Sequence, residues 1–118
     1  MPAIQILLDS QQGPLPLKGQ FQALADTPPS IFLSGTAQAS SSNTSCMVQM
    51  EVWDQDQKYS GFTTAVVFSN EARQHKNLLA LLVNQKPFTL GTTYMYQISA
   101  GPNTMSDSND FYSVTILY

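Results

Sequence analysis

The stretch SIFLSGTAQAS, residues 30–40, alternates its side chains one by one: Ile31, Leu33, Gly35, Ala37 and Ala39 fall on one face, and Ser34, Thr36 and Gln38 on the other. A period of two belongs to a half-buried β-strand; a helix repeats its apolar positions every three or four residues instead. CMVQMEVW, residues 46–53, repeats the pattern with Cys46, Val48, Met50 and Val52 inward and Gln49 and Glu51 outward. TTYMYQISA, residues 92–100, sets Tyr94, Tyr96, Ile98 and Ala100 on one face. Apolar runs at residues 3–8, 62–68 and 111–118, and a looser one at 15–25, extend the series. Turn formers separate them: Asp9-Ser10-Gln11-Gln12-Gly13-Pro14, Asp26-Thr27-Pro28-Pro29, the polar loop 40–45, the hairpin after Trp53, and Asn84-Gln85-Lys86-Pro87.

Residues 69–83 read less plainly. Ser69 or Asn70 can start a helix carrying Ala72, His75, Leu78, Leu79 and Leu82 on one side. Neither has Glu or Gln at the third following position, so no capping box closes, and a loop followed by a strand over 78–83 is the expectation. About eight strands in one short chain, with turn signals between them, predict an all-β fold: a single antiparallel β-sandwich domain over residues 1–118, jelly-roll-like.

Composition narrows the function. Only 11% of the residues are charged, against ~25% in an average globular protein, and Gln, Asn, Ser and Thr fill the polar positions. Such a surface resists self-association weakly, which suits an oligomer, a particle component or a sugar-binding protein. With five Lys and Arg, a net charge of −3 and no basic cluster, the chain lacks the means to neutralise a nucleic-acid backbone. The single cysteine, Cys46, excludes an intrachain disulfide and reads as a buried core thiol. No apolar run reaches the ~18–20 residues of a membrane helix, and no export signal is recognisable, so a soluble chain without membrane insertion is expected. No cofactor motif is present.

The order of landmarks over residues 30–118 resembles the jelly-roll domain of tumour necrosis factor and the complement globular heads. IFLSGTAQA, MVQMEVWDQDQKYSG, LLALLVNQKPFTLGTTYMYQI and DFYSVTILY follow one another as the corresponding strands do in that family. The resemblance implies a compact homo-oligomer, a trimer ahead of a dimer, whose subunits pack through aromatic and aliphatic residues of one sheet. Tyr94, Tyr96, Tyr112 and Tyr118 are the expected interface residues. The family's trimers are usually secreted or displayed, whereas no export signal is recognisable in this sequence.

Candidate sites are few. Trp53, the lone tryptophan, stands at a strand end beside Asp54, Asp56 and Tyr59, an aromatic plate with polar neighbours of the kind that binds sugars; the plain alternative is a core cap. A glycan or another protein is therefore the expected partner class. In SDSND, Asp107, Asn109 and Asp110 resemble the Asp- and Asn-rich loop before the last strand of calcium-dependent bacterial lectins. Phe111 stands where a helix-loop-helix calcium site needs its third oxygen ligand, so a turn is the better reading. His75, the only histidine, must serve any hydrolytic triad, with Cys46 a conceivable nucleophile, yet its neighbours Arg73, Gln74, Lys76 and Asn77 suggest a solvated loop. A non-enzymatic role is expected.

Overall fold

The computed structural model describes residues 3–56, 59–83 and 87–118. Its strands are β1 (Ile4–Gln12), β2 (Leu17–Gln22), β3 (Ser30–Ala39), β4 (Thr44–Asp54), β5 (Tyr59–Ser69), β6 (His75–Val83), β7 (Thr93–Ala100), β8 (Thr104–Met105) and β9 (Phe111–Leu117). No helix occurs among the described residues. Two antiparallel sheets, β1-β9-β3-β6 with β8 on the end of β3, and β2-β7-β4-β5, pack as a sandwich. Leaving the two-residue β8 aside, the strands nest pairwise: β1 with β9, β2 with β7, β3 with β6 and β4 with β5. That nesting makes the sandwich jelly-roll-like.

Every alternating segment of the sequence is a strand, and the predicted inward set fills the core. Ile31, Leu33 and Ala37 from β3 meet Val48, Met50 and Val52 from β4, with Ile98, Val114 and Ile116 between them, all at most 2% exposed. Gly35 lies in register with Tyr112, whose ring covers it; a Cβ at Gly35 would stand 2.5 Å from Tyr112 Cδ1. The missing side chain on β3 is thus the space the Tyr112 ring fills.

Four expectations need correction. The turn expected from Asp9 starts later: β1 runs on to Gln12 through two register shifts, with Ser10 in the left-handed region at φ 52°. β6 begins at His75 rather than Leu78, because β3 is long enough to pair Gln38 with His75. The final loop contains a strand, β8, which pairs with Gln38 and Ala39 of β3. Thr36 and Gln38, expected toward solvent, are only 6% and 5% exposed, since the loop ending at Asp110 folds over that end of β3. The turn at 84–87 lies outside the described residues except for Pro87.

Candidate functional site

The four tyrosines expected at an interface are turned the other way. Tyr94, Tyr96 and Tyr112 are 5%, 6% and 0% exposed, inside the sandwich. Tyr118 packs half-buried against the same core. Tyr94 and Tyr96 sit on β7 and Tyr112 on β9, in opposite sheets, so the two pairs face each other across the core rather than sharing a sheet. Alternation had grouped them correctly and could not say which group pointed inward. Tyr94 stacks on Phe88 at 4.3 Å between ring centroids, with Phe21 5.8 Å from Tyr94, and its hydroxyl accepts the Thr89 N–H at 2.9 Å. Tyr112 bonds Ser106 at 2.7 Å, and burial pushes its hydroxyl up to about 12.

What faces outward on the first sheet is aliphatic instead. Cross-strand register aligns Ile6, Thr115, Phe32 and Leu81 into one row spanning β1, β9, β3 and β6. The flanking rows add Ile4 with Leu117, and Leu79 with Ser34 and Ser113. Leu79 is 74% exposed, Ile6 64%, Ile4 63% and Leu81 52%. None of these positions carries a charge. On the second sheet, Phe62, Val66 and Phe68 form an exposed stripe along the edge strand β5. Both edges, β5 and β6, lie on one side of the sandwich and contact each other.

At the far end of β3 stands a polar hub. Asp110 is fully buried, and four donors reach its carboxylate: the Thr36 hydroxyl at 2.8 Å, His75 Nδ1 at 2.7 Å, Gln38 Nε2 at 3.1 Å and the Asp107 backbone N–H at 2.9 Å. Burial alone would raise the Asp110 carboxyl, but the Asp107 amide, His75, Thr36 and Gln38 outweigh it and hold it below the usual range. Asp107 accepts the Asn109 N–H at 2.8 Å and a second Gln38 bond at 2.9 Å. The loop is thus the expected turn, tied down by Asp110.

His75, Asp107 and Asp110 bring ligand atoms within 4.8 Å of one another. They make a poor cation site, because the Asp110 oxygens are taken up by four donors and the Gln38 amide nitrogen stands between the two carboxylates. The solvated loop expected around His75 is corrected: it opens β6 and is anchored to Asp110, a partner 35 residues away that no local pattern signals. As a catalytic pair the arrangement lacks a nucleophile among the described contacts of His75. The nearby Thr36 hydroxyl gives its proton to Asp110, and Cys46, fully buried on β4, points its thiol at Val67 O at 3.5 Å. Burial pushes that thiol up, away from reactivity.

Of the hairpin residues proposed around Trp53, Tyr59 is its register partner across β4 and β5. Asp54 accepts the Asp56 N–H at 2.9 Å as a turn contact, Asp56 is exposed in the turn, and the Tyr59 side chain lies outside the described residues. Trp53 itself is half-buried on the outer face of the second sheet, where residues of β7 and β2 line a groove beside it.

No protein-family model matches the chain, and no curated protein matches it. Among solved structures, the chain is similar to a chain from the tripod of the baseplate of bacteriophage Tuc2009, with a TM-score of 0.52 and 9% identity, over 99% of this chain and 62% of that one. The likeness shows a shared β-sandwich fold. No helix among the described residues is long and apolar enough to cross a membrane.

Proposed function

We propose that this chain is a non-catalytic assembly module that closes into a homotrimer through the outer face of β1-β9-β3-β6. The observation that carries the reading is the uncharged row Ile6–Thr115–Phe32–Leu81 with its aliphatic flanks. Contiguous exposed apolar faces on monomers rarely exceed a few hundred Å² and mark interaction surfaces when they do. A second, different apolar stripe on β5 lies round the edge from the first. Two distinct patches on one subunit favour a head-to-tail contact, which closes into a ring. The similar chain belongs to a baseplate tripod, and the landmark order resembles the trimeric tumour necrosis factor heads; both support three subunits over two.

Size exclusion coupled to light scattering tests this. The expected mass is three times the 13.0 kDa of one chain. Leu81→Asp, at a position 52% exposed in the single subunit, leaves the fold intact by far-ultraviolet circular dichroism. It releases monomers, because an unpaired charge in a closed interface costs several kcal/mol. A wild-type mass near one chain ends the proposal.

A further inference from the structure

The outer face of the second sheet holds a different kind of surface. Register sets Trp53 of β4 opposite Met95 of β7, and Met95 opposite Gln20 of β2. The adjacent row runs Glu51, Gln97, Lys18 across the same strands. Between them lies an open groove of about 290 Å³ lined by Trp53, Met95, Gln20 and Lys18, with Gly19 and Tyr96 completing it. Among the described residues, the side chains of Lys18, Gln20, Glu51 and Gln97 make no hydrogen bond or ion pair with the protein. The groove therefore pairs an aromatic and thioether floor with the unspent polar groups of Lys18 and Gln20 in its lining and of Glu51 and Gln97 in the row beside it.

From this geometry we infer a saccharide subsite centred on Trp53 that takes one uncharged pyranose unit of a glycan. A pyranose ring presents an apolar C–H face, which an indole and a methionine can cover, and equatorial hydroxyls, which amides and a carboxylate bind in donor and acceptor pairs. Lys18 and Glu51 flank Gln97 with opposite charges, so the rim as a whole favours neither an anionic nor a cationic ligand. The volume stands at the lower limit of ligand pockets, ~300 Å³, which fits one ring rather than a chain of them. The groove lies on the β4-β7-β2 side of the second sheet, beside the β5 stripe and away from the row Ile6–Thr115–Phe32–Leu81, so one subunit uses both where the neighbouring subunit covers no more of this sheet than β5. Three weak sites on one particle would then act together on a repeating polysaccharide.

Trp53 is the only tryptophan of the 118 residues, so its fluorescence reports on this groove alone. The probes are the methyl glycosides of glucose, galactose, mannose and N-acetylglucosamine, followed by an array of immobilised neutral and anionic glycans, each with and without a calcium chelator. The expected result is a saturable change in Trp53 emission with at least one neutral glycoside, at a Kd on the order of millimolar, and matching array signals that the chelator leaves unchanged. Trp53→Ala lowers the array signal at least tenfold, and Gln20→Ala, on an exposed edge-strand position, weakens the fluorescence titration several-fold. Neither changes the mass in light scattering, which separates this subsite from the assembly reading. A flat titration with all four glycosides and a blank array overturns the inference. So does array binding that survives Trp53→Ala, that is confined to anionic glycans, or that the chelator abolishes.

Discussion

Replacing Asp110 with alanine tests whether the hub at the end of β3 holds the last loop to the sandwich. The carboxylate accepts four hydrogen bonds, and its removal strands the donors unequally. The His75 side chain, 42% exposed, and the exposed Asp107 can turn to water. Thr36 and Gln38, 6% and 5% exposed, cannot. A buried donor left unpaired costs ~1–3 kcal/mol. Gln38 keeps its bond to Asp107 at 2.9 Å, so Thr36 carries the full loss and Gln38 a part of it. The sum is about 2–4 kcal/mol of destabilisation.

Urea unfolding at neutral pH, at fixed protomer concentration because assembly adds stability, reads the effect as a lower midpoint with an unchanged slope. Adding Thr36→Val to Asp110→Ala removes the stranded hydroxyl and restores about 1 kcal/mol. The pH dependence has a definite sign. Asp110 titrates below its ordinary value in the fold, so its contribution is present above the unfolded value of ~3.9 and is lost as pH falls through the lower folded value. The gap between wild type and Asp110→Ala must therefore narrow in acid. A loss under ~1 kcal/mol at neutral pH, or a gap that widens on acidification, would refute the hub as an anchor.

Gly35→Ala should destabilise by ~1–3 kcal/mol, because the new methyl meets the Tyr112 ring and the Phe111 carbonyl in a packed core; an unchanged urea midpoint would mean that Tyr112 moves freely. In alkali the sign reverses. Tyr112 is pushed up to about 12 by burial, so the neutral form belongs to the fold, and about 2–3 kcal/mol is lost as pH rises from ~10 toward that value. Comparison with Tyr112→Phe isolates this loss, and an identical alkaline decline in both proteins would contradict it.

The legible part of the fold was the part written in neighbouring residues. Ile31, Leu33 and Ala37 occupy the core because an extended chain sends alternate side chains to opposite sides, whatever it packs against. The sandwich followed, since strands with one apolar face need a second layer to cover it. The prolines at 28–29 and the polar run at 40–45 likewise act locally to end one strand before the next begins.

The faces of the tyrosine strands were not legible. Tyr94 with Tyr96 and Tyr112 with Val114 share faces by alternation, but a tyrosine suits a core and an interface equally well, and only the opposing sheet decided that both sets lie inside. The exposed apolar row was not legible for the same reason: in LLALLV both alternate sets are apolar, and only the pairing of β6 with β3 fixed that Leu79 and Leu81 face out and Leu78 and Ala80 in. The candidate sites were hidden further still. Trp53 signalled a platform, but its partners Met95, Gln20 and Lys18 lie on other strands, and His75 meets Asp110 only because β6, β3 and the last loop converge. Strand period is a property of the chain's own geometry, so the sequence by itself determined where the strands run and which residues share a face. Which face is covered, and which distant side chains meet, depends on contacts between segments far apart in the chain, and those only the packed sandwich decided.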